Sequence, residues 1–128
     1  MILDSTLINT LARNEPAATE TLEQLIDAGT PVAFSALTVF EVEVGLRGAA
    51  AQHRDRFENV ASRIDVVPLT HDIAHRAAGI QRILYDCGDP IGVVNVLIAA
   101  TALERGEEVL TRNTDEFRRV DGLAVETY

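Results

Sequence analysis

The chain opens with Met1-Ile2-Leu3-Asp4-Ser5-Thr6, an apolar run that ends in a carboxylate. Such a run predicts a short buried strand with Asp4 at its carboxyl-terminal tip. In open α/β sheets ligands bind beyond the carboxyl ends of the strands, so Asp4 is a candidate site residue. Polar residues that follow other strands, or that begin helices at the same edge, are candidates for the same site.

Length and composition restrict the class of protein. The 128 residues suit a single domain, residues 1–128, and a hydrophobic content of 47% suffices for a packed core. The one cysteine, Cys87, excludes an internal disulfide and provides no metal-binding cysteine spacing. No apolar run is long enough for a membrane span, and we expect no secretory or lipidation signal. We therefore expect a soluble, cytoplasmic protein without membrane association.

Acidic residues dominate the charge of the chain. Twenty Asp and Glu residues against eleven bases give a net charge of −9, and every base is an arginine. This balance argues against capture of nucleic acid by a broad basic patch. One explanation is a halophile's adaptation to concentrated salt, which screens surface charges. The other is a basic partner chain that covers an acidic face. We favour the first explanation, and the two are compatible.

Alternating strand and helix signals predict an α/β fold. Short apolar runs predict strands at 1–4, 31–34, 64–69 and 107–111, with a final edge strand at 123–126. Helical periodicity fills the intervals, including 49–63, whereas 112–117 is predicted as a loop. Ser5, Ser35 and Thr70 are candidate N-caps, Pro16 suits a first turn, and Gly29, Gly88 and Gly106 suit helix ends. Strands that alternate with helices imply a parallel sheet with right-handed crossovers.

Three further polar residues are expected to join Asp4 at the sheet edge. Glu41 shares a helix face with Thr38, Asn95 is the strongly polar residue at the start of an otherwise apolar helix, and Asp115 follows the fourth strand. Carboxylates that gather in this way repel one another unless a cation neutralises them. Mg²⁺ or Mn²⁺, held by carboxylates, water and a substrate phosphate, meets that need. The predicted site therefore suits phosphodiester hydrolysis.

The same segments resemble the motifs of PIN-domain nucleases, above all the small VapC-type toxins. The resemblance covers essentially the whole chain, through MILDSTLIN with Asp4, SALTVFEVEVGL with Glu41, IGVVNVLIAATAL, VLTRNTDEF and the closing LAVE. It implies an α/β/α sandwich around a central, mainly parallel sheet of four to five short strands. It also implies a Mg²⁺- or Mn²⁺-dependent endoribonuclease that acts on RNA, forms homodimers and is inhibited by a cognate antitoxin in a hetero-oligomer.

Carried over to this chain, the resemblance makes Asp4 and Glu41 the first two acids. Asn95 stands where the family has a third, metal-binding aspartate, and the predicted metal ligands are Asp4, Asn95 and Asp115. An amide keeps one oxygen acceptor but has no charge and cannot act as a base. We therefore expect weak metal binding and little or no turnover. Asn95 is either a natural variation or a replacement that makes a toxic nuclease tolerable to its host, and its typical surroundings favour a replacement.

The last motif also departs from the family. The usual Thr-x-Asp is Thr111-Arg112-Asn113 here, so Asp115 is the predicted fourth acid, with Glu116 as its reserve. By the resemblance, Thr111 orients an acid or the attacking water. Together with Arg112 and Asn113 it forms the group expected to position substrate or water. Arg47 is a further candidate for contacts with the RNA backbone, because the chain has no lysine.

Other functions fit the sequence less well. A phosphatase with Asp4 as nucleophile would need a second aspartate two residues on, and a dinucleotide-binding module would need a glycine-rich turn there. His71 and His75 have helical zinc-pair spacing, but without a third ligand they are expected to be exposed histidines. A non-catalytic PIN fold that sequesters an antitoxin is the serious alternative. The sequence leaves two roles open for residues 49–51 with Leu46 and Phe57. They could form a partner surface or belong to the core, and both are equally compatible with the sequence.

Overall fold

A computed structural model describes all 128 residues. Its strands are β1 (Ile2–Leu3), β2 (Ala33–Ser35), β3 (Asp65–Val67), β4 (Val109–Leu110) and β5 (Val125–Glu126). Its helices are α1 (Ser5–Ala12), α2 (Pro16–Asp27), α3 (Ala36–Gly45), α4 (Arg54–Ala61), α5 (His71–Asp86), α6 (Val93–Arg105) and α7 (Thr114–Phe117), with a 3-10 helix at Gly48–His53 between α3 and α4. The predicted alternation of strands and helices is confirmed.

The five strands form one sheet in the order β3-β2-β1-β4-β5, and every neighbouring pair is parallel. β1 lies at the centre, with Ile2 opposite Ala33 of β2 and opposite Val109 of β4. β5 is an edge strand, as predicted. Because the strands are parallel and in register, Asp4 follows β1 at the level where Ser35 ends β2 and Thr111 follows β4. The register therefore brings three polar residues to the same edge of the sheet.

Two hydrophobic cores lie on opposite faces of the sheet. Neighbouring residues of each strand alternate between the faces, so Ile2 and Val109 join one core whereas Leu3 and Leu110 join the other. The first core is built with α5, α6 and α7, and the second with α1 to α4. The predicted α/β/α sandwich is confirmed. The apolar helix α6 occupies the central position expected from its sequence, with its middle turns buried at Val96 and at residues 98–102.

Caps explain where the helices begin and end. The Ser35 hydroxyl accepts from the backbone N–H of Leu37, and the Thr70 hydroxyl accepts from that of Ile73, so both predicted N-caps are confirmed. Gly106 adopts φ +64 after α6, the left-handed conformation that ends many helices. The prediction for Ser5 is wrong: Asp4 occupies the N-cap position and Ser5 is the first residue of α1.

Two residues considered for a partner surface after α3 are buried. Leu46 and Phe57 are 7% and 2% exposed, so both belong to the core and cannot present a docking face. The large exposed apolar side chains of this region are instead Phe40 and Val44, 63% and 51% exposed, one turn apart on α3. None of the helices combines the length and the apolar composition that crossing a bilayer requires.

Candidate functional site

Asp4 is the buried acid of the site. Its residue is 1% exposed, yet its carboxylate accepts from three hydroxyl groups: Ser5 at 3.2 Å, Thr6 at 2.9 Å and Thr111 at 2.5 Å. Thr111 is itself fully buried and reaches Asp4 because β4 is the parallel neighbour of β1. Buried charges need such partners, since an unpaired carboxylate is strongly destabilising. The hydroxyl groups hold Asp4 in a fixed orientation at the sheet edge.

A chain of hydrogen bonds leads from Asp4 to Asn95. The Thr111 hydroxyl accepts from the backbone N–H of Asn113 at 2.9 Å, and the Asn113 amide donates to Glu116 at 3.2 Å. The Asn95 side-chain amide donates to the same Glu116 oxygen. β1, β4, α6 and α7 therefore contribute to one continuous polar network, of which Thr111 and Asn113 are the links.

Glu116, rather than Asp115, is the acid of this network. Its second oxygen accepts from the backbone N–H of Gly92 at 3.2 Å, at the start of α6. Asp115 is exposed and makes no hydrogen bond or ion pair, so the structure does not place it in the predicted fourth acidic position. The physical reason is the short helix α7, in which adjacent residues point about 100° apart and only Glu116 turns towards Asn95. The residues predicted as a loop form this helical turn.

The sequence did contain a signal for Glu116. Asn113 occupies the N-cap of α7 and Glu116 lies three residues further on, which is the spacing of a capping box. That spacing indicates a helix start at Thr114 and directs the glutamate back towards its cap. The backbone N–H of Gly92 and the hydroxyl groups of Ser5 and Thr6 had no comparable signal in the sequence.

Glu41 lies apart from the network. No hydrogen bond joins it to Asp4, Asn95 or Glu116, and its Oε2 atom is buried without any partner. Thr38, one turn earlier on α3, also has a buried hydroxyl without a partner. Glu41 instead lines a cavity of about 130 Å³ with Asn9, Arg13 and His53. A buried carboxylate oxygen without a donor marks a position that a ligand or water must satisfy.

The residues present do not fit a tightly held divalent ion. No three Asp, Glu, His or Cys side chains converge anywhere in the structure. Glu116 already receives hydrogen bonds from Gly92, Asn95 and Asn113, so its negative charge is satisfied without a cation. His71 and His75 stack with ring centroids 6.1 Å apart, and the His71 side chain is 92% exposed, as expected for exposed histidines. An aspartate at position 95 would place a carboxylate directly against Glu116, in a network that also contains Asp4.

Arg112 is held beside the site by two contacts. Its guanidinium lies 4.5 Å from the centroid of the Tyr128 ring, and its Nη1 is 3.8 Å from a Glu15 carboxylate oxygen. The side chain remains partly exposed, so it is accessible to an anionic ligand. Arg47, in contrast, is exposed and has no ion pair.

The fold and the site define the class of protein, an α/β/α sandwich. A parallel five-stranded sheet lies between two helical layers, and a polar network crosses the carboxyl ends of β1 and β4. The model of one family, described as the PIN domain, matches residues 1–123, and the chain belongs to that family. The resemblance predicted from the motifs is thus confirmed.

Particular relatives narrow the comparison. The tRNA(fMet)-specific endonuclease VapC of Shigella flexneri is 30% identical, over 99% of this chain and 96% of the relative. Ribonuclease VapC19 of Mycobacterium tuberculosis is 32% identical, over 91% of this chain and 90% of the relative. Both alignments span nearly the full length of the proteins.

Solved structures of VapBC and FitAcB proteins have the same fold. DNA-bound VapBC from Salmonella typhimurium has a TM-score of 0.86 at 28% identity, covering 98% of this chain and 96% of that chain. FitAcB from Neisseria gonorrhoeae has a TM-score of 0.80 at 28% identity, covering 98% and 95%. VapBC2 from Rickettsia felis, bound to a promoter DNA fragment, has a TM-score of 0.88 at 20% identity, covering 99% and 97%, a likeness of fold alone.

Proposed function

We propose that this chain is a VapC-type toxin of the cytoplasm, built to hydrolyse RNA phosphodiesters with Mg²⁺ or Mn²⁺ and impaired by Asn95. The relatives that span nearly the whole chain are named ribonucleases or endonucleases, which supports the reaction class. Asp4 and Glu116 supply the carboxylates of the site, Asn95 stands in place of another, and Glu41 lies in a separate cavity. Thr111 and Asn113 hold Asp4 and Glu116 in position.

The hydrogen bond from Asn95 to Glu116 carries this proposal. An amide donates to a carboxylate, so Asn95 stabilises the charged Glu116 by a hydrogen bond, although it carries no charge of its own. An aspartate at the same position could only accept, and the two carboxylates would repel unless a cation lay between them. An amide in place of the acid therefore removes the charge of one metal ligand and weakens the attraction of the site for a cation.

The test restores the acid. We expect the Asn95→Asp variant to cut RNA with Mg²⁺ or Mn²⁺ at least about a hundredfold faster than the parent chain, since positioned charge at such sites contributes on that order. The double variant Asn95→Asp, Asp4→Asn is the control, because it keeps the restored residue but removes the buried acid. Metal binding is measured in parallel by calorimetry. Cleavage at equal rates by the parent and the Asn95→Asp variant would contradict the role of Asn95.

A non-catalytic partner protein is the second candidate function. It is favoured by one observation, that Glu116 has three donors and needs no cation in this chain. Such a protein would bind the antitoxin and leave RNA intact. If the Asn95→Asp variant neither binds metal nor cuts RNA, this candidate replaces the nuclease proposal.

We further propose that the chain forms homodimers and, with its antitoxin, a hetero-oligomer. Similar solved structures are named VapBC and FitAcB, and α3 exposes Phe40 and Val44 as apolar side chains. Light scattering of the purified chain is expected to give the mass of a dimer. Phe40→Ser with Val44→Ser is expected to give a monomer, and an unchanged dimer would exclude this face of α3 as the interface.

A further inference from the structure

We propose that Gln81 is a positioning residue for the Glu116 carboxylate, acting through the peptide group between Ile91 and Gly92. This inference rests on the proposed function, in which Glu116 is an acid of the site, and extends it to a residue outside the polar network. Gln81 lies in α5 and contacts the loop that leads into α6.

Gln81 holds the backbone of Ile91 by two hydrogen bonds. Its side-chain Nε2 donates to the Ile91 carbonyl at 2.5 Å, and its Oε1 accepts from the Ile91 backbone N–H at 3.2 Å. Ile91 is 5% exposed and belongs to neither a helix nor a strand, so its backbone groups need partners from elsewhere. Asparagine and glutamine alone carry an N–H donor and a carbonyl acceptor on one planar side-chain group. The contact is therefore specific to an amide.

The peptide group between Ile91 and Gly92 links Gln81 to the site. Its carbonyl belongs to Ile91 and accepts from Gln81, whereas its N–H belongs to Gly92 and donates to Glu116 Oε1 at 3.2 Å. A trans peptide group is planar, so its C=O and N–H point in opposite directions and turn together. A hydrogen bond at the carbonyl also polarises the N–H of the same group. Gln81 therefore fixes the direction of the N–H that holds Glu116 and strengthens its bond.

The same loop residue connects Gln81 with Asn95. Gly92 is the N-cap of α6, and its carbonyl accepts from the Val96 backbone N–H at 3.0 Å. The orientation of Gly92 thus continues into the helical turn that carries Asn95. Glu116 accepts from Gly92 on one oxygen and from Asn95 on the other. Both oxygens of Glu116 are therefore held by groups that follow the Ile91 backbone.

The sequence of α5 contains a signal for Gln81. It lies four residues after Ala77 and three before Leu84, and both of these residues are buried. The helical repeat places Gln81 on the same face of α5 as this apolar pair. A polar side chain on such a face needs hydrogen-bond partners, and the loop before α6 provides them.

Arg119 supports the same loop from the end of α7. Its Nη1 donates to the Pro90 carbonyl at 3.2 Å and lies 3.1 Å from an Asp89 carboxylate oxygen. The Asp89 side chain is 56% exposed, and exposed ion pairs contribute little because water and salt screen them. We therefore expect Gln81, which contacts the peptide group itself, to have the larger effect on Glu116.

The first test is made by NMR on the chain with Asn95 in place. Gln81→Met removes both hydrogen bonds without adding charge, and Gln81→Glu keeps the acceptor but loses the donor to the Ile91 carbonyl. Both variants are expected to shift the signals of the Gly92 N–H and of the Asn95 side-chain amide, and to raise the exchange rate of the Gly92 N–H about fivefold. Gln24→Glu, at an exposed position of α2, is the matched control and is expected to leave these signals in place.

The second test measures RNA cleavage in the Asn95→Asp background. Adding Gln81→Met is expected to lower kcat about tenfold and to change KM less than about twofold, because a positioning residue acts on the reacting carboxylate rather than on RNA binding. A residue that only stabilises the fold would lower the unfolding temperature and leave kcat unchanged.

Three results would overturn the role of Gln81. One is a Gln81→Met variant whose Gly92 and Asn95 signals are unchanged, and another is an unchanged kcat in the double variant. The third is a Gln24→Glu control that shifts the same signals as Gln81→Glu. If the Asn95→Asp variant itself fails to cut RNA, the proposed function is wrong, and the NMR signals still decide whether Gln81 orients the Gly92 N–H.

Discussion

Asp4 illustrates what one buried residue requires of its neighbours. The carboxylate is 1% exposed, so water cannot compensate its charge, and three hydroxyl groups do so instead. Ser5 and Thr6 are adjacent in sequence, whereas Thr111 arrives from a strand more than a hundred residues away. Of the three, Thr111 is the donor that also links Asp4 to Asn113, through the backbone N–H that its hydroxyl accepts.

We expect Thr111→Val to destabilise the protein by about 1–3 kcal/mol, because it removes one of the three donors to the Asp4 carboxylate and leaves the Asn113 N–H without a partner. The free energy of unfolding is measured by urea denaturation. Thr21→Val is the matched control, since the Thr21 hydroxyl is bonded to Ala17 at the surface, and its effect is expected within about 0.5 kcal/mol. Similar losses in both variants would contradict the importance of the buried hydroxyl.

Arg112 is expected to contact the RNA backbone. In the unaltered chain, Arg112→Gln should weaken RNA binding and reduce the slope of log affinity against log salt by about 0.7, the value for one phosphate contact on a single strand. Tyr128→Leu is expected to produce part of this effect, and Tyr128→Phe none, because the phenyl ring preserves the cation–π contact. Arg82→Gln, on the exposed side of α5, is the control. An unchanged slope for Arg112→Gln would remove this residue from the interface.

The sequence predicted the residues of the site better than their contacts. The run before Asp4 indicated a buried strand tip, and parallel pairing then brings Asp4 and Thr111 together. Whether Asp115 or Glu116 reaches Asn95 depends on the 100° turn per residue of a helix only four residues long. Glu41 was expected beside Asp4 because it shares a face with Thr38 near the start of a helix, yet it makes no hydrogen bond to the network and lines a cavity with Asn9 and His53.

At the scale of elements, replacing a glycine by alanine is expected to have opposite effects on stability at two positions. Gly106 has φ +64 at the end of α6, whereas Gly79 lies inside α5 with an ordinary helical φ and open space where a Cβ would stand. We expect Gly106→Ala to destabilise the protein by about 1 kcal/mol and Gly79→Ala to stabilise it by about 0.5–1 kcal/mol. Thermal unfolding of both variants checks the signs. Equal signs would contradict the assigned backbone conformations.

The helices with strong caps or long periodicity were predictable, and the shortest helices were not. Ser35 and Thr70 provide local hydrogen bonds that fix a helix start regardless of the rest of the fold. The 3-10 helix at Gly48–His53 and the four-residue α7 are too short for a helical periodicity of apolar residues to show in the sequence. Arg54, which bonds both Glu43 and the Leu46 carbonyl, helps to determine where the chain changes from 3-10 to α-helical geometry, and that contact is tertiary.

At the scale of the whole molecule, the net charge of −9 predicts a response to salt. Unpaired carboxylates repel one another, and salt shortens the range of that repulsion from about 10 Å at 0.1 M to about 3 Å at 1 M. We expect the free energy of unfolding to rise by on the order of 1 kcal/mol over that interval. Urea denaturation in sodium chloride is the measurement, because sulfate would also strengthen apolar burial. A flat response would count against adaptation to concentrated salt.

One ion pair fastens the first strand to the fourth and gives a pH dependence. The Met1 amine lies 2.8 Å from Glu107, which also pairs with Arg105 at 2.9 Å. Burial by itself would raise the pKa of Glu107, but the hydrogen bond and charge of the Met1 amine, with Arg105, lower that pKa below its usual 4.5. A lowered pKa means that the stabilisation is complete above about pH 4.5 and is lost as the pH falls below it.

Glu107→Gln is therefore expected to lower the free energy of unfolding at pH 7 by up to about 1 kcal/mol. The difference from the parent chain should shrink once the pH falls below about 4.5, because protonation neutralises the parent's glutamate as well. Denaturation curves across this pH range provide the measurement. Glu108→Gln, at the exposed neighbouring position, is expected to show no such narrowing, and a narrowing in both variants would point to general charge repulsion.

The amide at position 95 has a consequence in the genetic code. Codons for asparagine and aspartate differ only in their first base, so a single transition would turn the Asn95–Glu116 pair into two facing carboxylates. On the function proposed here, cells that carry this gene without its antitoxin would lose every lineage in which that transition occurred. The frequency of Asn95→Asp mutants, counted in cells with and without the antitoxin gene, therefore measures the toxicity that the aspartate restores.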